Sequence, residues 1–508
     1  MQPSAPHSIL RQYVEVRMAG SEAEALALQG RLAGLCAQWL TPVIERALER
    51  CCPPRGVLRI ERLEVDAGSV ALGRLEQDLP ALLERCLDQA LGVHLAGGAG
   101  GAADGRAAPR HIGLAQALDE ALAHFLRYGT LPAALHLAAG MDFEATLLAA
   151  WSADGGALAA LDSAATAPAW AAAPGAPTAG QAAGPSALAS GQVAAPPAPT
   201  ADLMAALRGS SALRRLCGQF STGFQLLLLA RLSPALAAAL QASLAQLRAR
   251  AQGATAEAGA RLLCRAGLEL ALHGRVGDAR LPLHGALWRG LPEQAARAAL
   301  AALHPAAPRG DRGRAPAVLR APPGERGRPA ARPDVARGDE HPDRRHGIYL
   351  DNAGLVLLHP FLPRLFDALG FSQEGRLLRP GRALALLYFL ASGRPSTPEY
   401  ALALPKLLCA LPLTATVEDG VVLTAAECAE AEALLAAVIG HWTALRNTSP
   451  DGLRGAFLLR AGKLSERAGE WLLQVEPQTA DILLGDLPWG ISAVRLPWME
   501  RILWVEWT

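Results

Sequence analysis

TAAECAEAEALLAAVIGHWTALRNTSPDGLRGAFLLRAGKLSERAGEWLLQV, Thr424 to Val475, decides the fold class because its apolar period changes partway along. Thr424 with Glu427 forms a capping-box pattern, in which each side chain satisfies a backbone N–H that the first helical turn leaves free. Leu434, Leu435, Val438, Ile439 and Trp442 then recur at the three-and-four spacing of one helix face. Ser449-Pro450 opens a second helix whose apolar face includes Leu453, Phe457 and Leu458. By Trp471 the period has shortened to two, and Trp471, Leu473 and Val475 alternate as on a strand. Further on, Leu503, Val505 and Trp507 fall on one face and Ile502 and Trp504 on the other, which predicts a terminal strand covered on both sides. Residues 347–508 therefore read as a Trp-rich α+β domain.

Upstream, the same periods give an α+β chain that is predominantly helical. Tyr13 to Met18 alternates as a strand, and Ser21 with Glu24 caps a helix carrying Leu28, Leu32, Leu35, Trp39 and Val43 as far as Pro53. Leu58 to Asp66 reads as a second strand with a bulge near Arg62, and Leu75, Leu79, Leu82, Cys86 and Ala90 as a second helix. Residues 1–94 are thus expected as a small strand-helix-strand-helix unit. The segment 95–110 is Gly- and Ala-rich and reads as a linker, 111–150 as a short helical segment, and 151–200 as an Ala/Pro-rich linker. Helical period returns over 201–304 in Leu213, Leu216, Phe220, Phe224, Leu227 and Leu228, the helical middle. An Arg/Pro-rich tract, 305–346, reads as a further linker, because no aromatic side chains interleave its arginines to stack on bases. The expected architecture is folded segments joined by disordered Ala/Gly/Pro-rich linkers.

Composition narrows the function. At 508 residues the chain is long enough for about three domains. Its 48 basic and 47 acidic residues nearly cancel, so no global field holds nucleic acid or an anionic membrane. Lysine occurs at Lys406 and Lys463, and the remaining basic residues are arginine, which fits a GC-rich coding bias better than selection for phosphate contacts. Met1 to Met18 carries no apolar signal-peptide core, and runs such as Phe224 to Ala230 and Ala383 to Ala391 are too short to span a bilayer. Eight cysteines without a CxxC pair read as free thiols in a reducing cytosol.

A search for chemistry finds no enzyme signature. Gly455 to Leu464 (GAFLLRAGKL) fails as a phosphate loop, since six residues separate the glycines and Leu464 stands where a hydroxyl must bind magnesium. The glycines near residue 100 follow no strand, so a dinucleotide site is unsupported. His359 and His441, with Asp351, Cys409 and Cys428, could form a Cys/His pair, but a satisfied core histidine is the commoner use of such residues. No catalytic residue, cofactor or metal is expected. Trp442, Trp471, Trp489, Trp498, Trp504 and Trp507 place six of the ten tryptophans in the last 67 residues, either as a core or as a protein-binding surface. Pro488-Trp489-Gly490 and Pro497-Trp498 sit in turn-like contexts where an indole can be exposed.

Ile348 to Phe371 (IYLDNAGLVLLHPFLPRLFDALGF) closely resembles the tape measure protein family of phage-tail-like contractile injection systems. The resemblance continues through Pro398-Glu399-Tyr400, Lys406 to Cys409, Asn447 to Pro450, Gly462 to Ser465, Leu487 to Ser492, Leu496 to Met499 and Val505 to Trp507. His7 to Arg11, Leu58 to Val65 and Phe125 to Gly129 are similar to the family as well, so about half the chain is covered. The resemblance implies a structural role in setting or organising the inner tube, with tube, spike, baseplate and sheath proteins as partners. It implies assembly in the cytoplasm, leaves open whether the chain is then carried within the released particle, and brings no catalytic residues. The alternative is a cytosolic chaperone or adaptor that delivers cargo or tube subunits. Under either reading Trp489, Trp498, Trp504 and Trp507, with Asn352 and His359, are the expected partner-binding residues. A single helix of 508 residues would be about 760 Å long at 1.5 Å per residue, but the Pro-rich tracts forbid one continuous helix.

Overall fold

A computed structural model describes residues 9, 12–36, 40–51, 57–60, 62–96, 110–133, 135, 137, 142–153, 198–251, 253–274, 280–303, 341, 343, 347–417 and 421–507. The linkers expected at 95–110, 151–200 and 305–346 fall almost wholly outside these residues. The chain divides into two compact units, residues 1–118 with 133–138, and residues 119–132 with 139–508. Helix predominates in both, and the α+β class read from the sequence holds.

The first unit contains α1 (Glu22–Leu35), α2 (Thr41–Cys51), β1 (Val57–Arg59), α3 (Leu75–Ala96) and β2 (Arg110–Ile112). α1 opens with the expected capping box: the Ser21 N–H donates to Glu24 Oε2 at 2.8 Å and the Glu24 N–H to Ser21 Oγ at 3.3 Å. Val43 and Ala47 of α2 pack against Leu83, Leu87 and Leu91 of α3, with Ile60, Leu63 and Val65 laid over them. The three leucines recur every four residues, which keeps them on one helix face. Two local expectations change. Tyr13 to Met18 forms no strand; Tyr13 is 80% exposed, and Val14 and Val16 are exposed too, since alternation buries nothing without a strand to pair with. The partner of β1 is β2, in register Val57 to Ile112. The helix expected from Ser21 to Pro53 is carried by α1 and α2, with Cys36 and Leu40 between them in a wider π turn and residues 37–39 outside the described residues; Pro42, which lacks an N–H, fits in the first turn of α2.

The second unit takes in α4 (Leu114–Tyr128) from Asp119 onward, α5 (Phe143–Ala153), α6 (Ala201–Leu207), α7 (Ser210–Gln219), α8 (Thr222–Leu232), α9 (Pro234–Arg250), α10 (Ala254–Leu272), α11 (Arg280–Gly290) and α12 (Glu293–Leu303). Leu229, Leu240, Leu247, Leu263, Leu268, Leu287 and Leu300 form the sealed interior of α8 to α12. Gly267 brings α10 close to its neighbours: a Cβ there would stand 3.0 Å from a Leu240 methyl and 3.3 Å from a Leu229 methyl.

The remainder of the unit holds β3 (Ile348–Leu350), α13 (Leu362–Ala368), the hairpin β4 (Ser372–Gln373) and β5 (Arg376–Leu377), α14 (Pro380–Ser392), α15 (Ala403–Leu408), α16 (Ala425–His441) and α17 (Pro450–Leu453). β6 (Gly462–Arg467), β7 (Glu470–Val475), β8 (Ala493–Val494) and β9 (Leu503–Glu506) follow. The capping box of α16 is present as read: the Glu427 N–H donates to Thr424 Oγ1 at 3.3 Å and the Thr424 N–H to Glu427 Oε2 at 2.6 Å. β3, β6, β7, β9 and β8 form a five-stranded sheet in that order, antiparallel except where β7 and β9 run parallel. Leu464, Leu473, Leu503, Val494 and Val505 point from it into a core shared with α13 to α17. Gly354 is required where the chain crosses under Phe457, because any Cβ would run into the Phe457 carbonyl oxygen.

The terminal strand is covered on one face rather than two. Leu503 and Val505 are buried and Trp507 follows them inward, while Trp504 is 48% exposed and Ile502 is half-buried. Trp504 shows that its outer side is open, so the run reads apolar on both faces with one face wet.

Candidate interaction face

Register places the outer face of the C-terminal sheet. Leu472 stands opposite Trp504, and both stand in line with Ser465 and Ala493; the next row is Tyr349, Lys463, Gln474 and Glu506. Trp504 stands beside Leu472 on β9, next to the short edge strand β8. In that next row Gln474 Nε2 donates to Glu506 Oε2 at 2.8 Å, and Lys463 Nζ sits 5.8 Å from the centre of the Tyr349 ring. This sets an exposed indole beside a polar, hydrogen-bonded row, a pairing that can dock a protein. Ile482, on the turn Thr479–Asp486, is 83% exposed.

The other expected residues occupy quite different settings. Trp489 is half-buried, donates Nε1–H to the Leu357 carbonyl at 3.0 Å and meets Phe361 edge-on at 5.0 Å. Trp498 is half-buried, stacks on Phe366 at 5.5 Å and donates to the Leu408 carbonyl at 2.7 Å. Both indoles fasten the long connection between β7 and β9 onto the helices. Trp507 is buried with the Arg460 guanidinium 5.6 Å from its ring centre. Asn352 is buried and donates Nδ2–H to the Ala401 carbonyl at 2.9 Å; its Oδ1 has no partner among the described residues. His359 is half-buried, with Nδ1 2.9 Å from the Val356 carbonyl, and burial holds its pKa below the usual histidine value while that carbonyl opposes the shift. Of the six, Trp504 alone is exposed.

The thiols considered as nucleophiles stay protonated. Cys409 is fully enclosed and burial pushes its pKa well up; Cys428 is raised by burial and by Glu427 and Glu432.

Three buried charged clusters escaped sequence reading. Arg215, Glu399 and Lys406 are each 1% exposed. Arg215 Nε donates to Glu399 Oε1 at 2.9 Å, and Arg215 Nη1 donates to the Leu126 and Arg127 carbonyls at 2.8 Å each. Lys406 Nζ donates to the same Glu399 oxygen at 2.8 Å and to the Leu413 carbonyl at 3.0 Å, and burial lowers the Lys406 pKa against the pull of Glu399. Gly129, at φ +79°, leaves the room beside Glu399 that a side chain would fill. In the second cluster Arg231 grips both Asp119 oxygens at 2.8 Å, the Trp151 indole donates to Asp119 Oδ1 at 3.1 Å, and the guanidinium lies 4.2 Å over the Trp151 ring. The third is Arg460, wholly buried among Gln478, Asp481 and the carbonyls of Ala456 and Glu476. The first two join segments about 80 to 200 residues apart, and the third closes a loop over 456–481, so no helical or strand spacing announces any of them.

The chain matches a family model described as contractile injection system tape measure protein over residues 6–507. No curated protein and no solved structure matched the chain. No helix among the described residues is long and apolar enough to cross a membrane.

Proposed function

Because the chain belongs to the contractile injection system tape measure protein family, we propose that it is a structural component that organises the inner tube during particle assembly. The observation that carries this reading is the family match, which spans residues 6–507 and so takes in both compact units. In this reading its partners are other proteins of the particle: tube, spike, baseplate and sheath. It assembles with them in the cytoplasm and works by binding rather than by catalysis. Trp504 and the polar row of Gln474, Glu506 and Lys463 are the surface we assign to a particle protein, since a large rigid indole supplies contact area at low entropic cost.

The test is particle production from cells carrying altered copies of the chain. Duplication of residues 154–197 should lengthen the tubes seen by electron microscopy, and Trp504→Ser should reduce the recovery of particle proteins with the tagged chain. Unchanged tube length would overturn a measuring role and leave assembly. Normal particles from cells lacking the chain would overturn both.

A further inference from the structure

His124, His341 and Asp343 offer three ligand atoms that all lie within 4.8 Å of one another. They come from two places, the last full turn of α4 and a short stretch more than 200 residues later. The His124 Nε2 to Asp343 Oδ2 distance is 3.3 Å. At metal–nitrogen distances of about 2.0–2.1 Å and metal–oxygen distances of about 2.0–2.2 Å, the ligands of a tetrahedral ion stand about 3.3 Å apart, so this edge already has the right length. His341 is 2% exposed and its Nε2 lies 2.6 Å from Thr130 Oγ1; the same hydroxyl is 3.4 Å from His124 Nε2. The Tyr128 ring closes the site on one side, its centre 4.9 Å from that of His124 and 5.2 Å from that of His341. Arg127, the nearby cation, is drawn off by Asp202 at 2.7 Å.

We propose that His124, His341 and Asp343 bind one divalent transition-metal ion of the zinc class, with water in the fourth position, and so fasten residues 341–343 to α4. Two imidazoles and one carboxylate suit zinc, cobalt or nickel and are poorly matched to magnesium or calcium, which prefer oxygen ligands. Without the ion, the Asp343 N–H donates to His341 Nδ1 at 3.2 Å, which leaves the ring proton on Nε2 facing Thr130. Binding through Nε2 moves that proton to Nδ1. The Asp343 N–H and the Thr130 hydroxyl give up their contacts with the ring, and the site releases no net proton.

Full-length protein stripped with a chelator and titrated with cobalt(II) tests this. One equivalent should bind, giving visible ligand-field bands without the near-ultraviolet thiolate charge-transfer band that any of the eight cysteines would produce. Zinc should displace it, and His124→Gln and Asp343→Asn should each weaken cobalt binding by at least about tenfold. Asp343→Asn preserves the side-chain shape, so it remains informative should the histidine variant fail to fold; circular dichroism checks both. Absence of cobalt binding, a thiolate band, or an Asp343→Asn protein that binds like the parent would overturn the proposal.

Discussion

Glu399 is the side chain whose loss should be felt most. Its carboxylate is the shared partner of Arg215 and Lys406 in a space closed to water. Glu399→Gln leaves two buried cations facing a neutral amide and should cost about 3–5 kcal/mol, read as a fall in the denaturation midpoint. Lys406→Met in the same chain should recover part of it, because one of the stranded charges is gone. His359 gives a pH prediction. Its folded-state pKa is lowered by burial, so above the ordinary histidine value both folded and unfolded chains carry it neutral and it has no effect. As pH falls below that value the unfolded chain takes up a proton that the folded chain refuses, and stability declines. His359→Gln should flatten this acid limb in denaturation profiles measured from pH 7 downward. Neither residue's role was legible in the sequence. Glu399 and Lys406 stand seven apart on a 3-10 turn and a short helix, and their third partner, Arg215, lies nearly 200 residues upstream. The tryptophans were legible as a cluster but not in orientation: turn contexts left room for an exposed indole at Trp489 or Trp498, yet both are half-buried and reach backbone carbonyls, and the exposed Trp504 is in a strand.

At the scale of elements, local rules worked where the stabilising groups are close in sequence. The box of Thr424 and Glu427 was read from a spacing of three and is present, strengthened by Arg382, whose Nε donates to Glu427 Oε1 at 2.7 Å. Thr424→Ala should cost about 1 kcal/mol by thermal or chemical denaturation, with the loss confined to the cap. The strand Glu470–Val475 was likewise legible from Trp471, Leu473 and Val475. Tyr13 to Met18 has the same alternation and forms no strand, because alternation specifies a face and says nothing of a neighbour to pair with. The helix opened by Ser449-Pro450 shows the limit in another way: it runs only to Leu453, then widens into a π turn over Arg454–Leu458 that turns the Arg454 guanidinium toward Glu432, Asp451 and the Leu390 carbonyl. Apolar spacing carries no sign of such a bulge.

At the scale of the whole molecule, the described residues fold into two compact units of short helices and small sheets. In the second unit, residues 119–303 and 341–507 are joined by the buried pairing of Arg215 with Glu399. Fragments 1–303 and 341–508 expressed together should therefore co-purify, and Arg215→Ala should reduce their recovery together by about tenfold or more; separate elution of the unaltered fragments would refute this. The sheet order adds a constraint in time. β9 lies between β7 and β8, both made before it, and pairs parallel with the first and antiparallel with the second. While the chain is being translated, β7 and β8 thus wait with open edges until Leu503–Glu506 leaves the ribosome. A nascent chain halted just short of that strand would offer two unfilled hydrogen-bonding edges to any neighbour, which makes the interval before its arrival the period of greatest risk from aggregation.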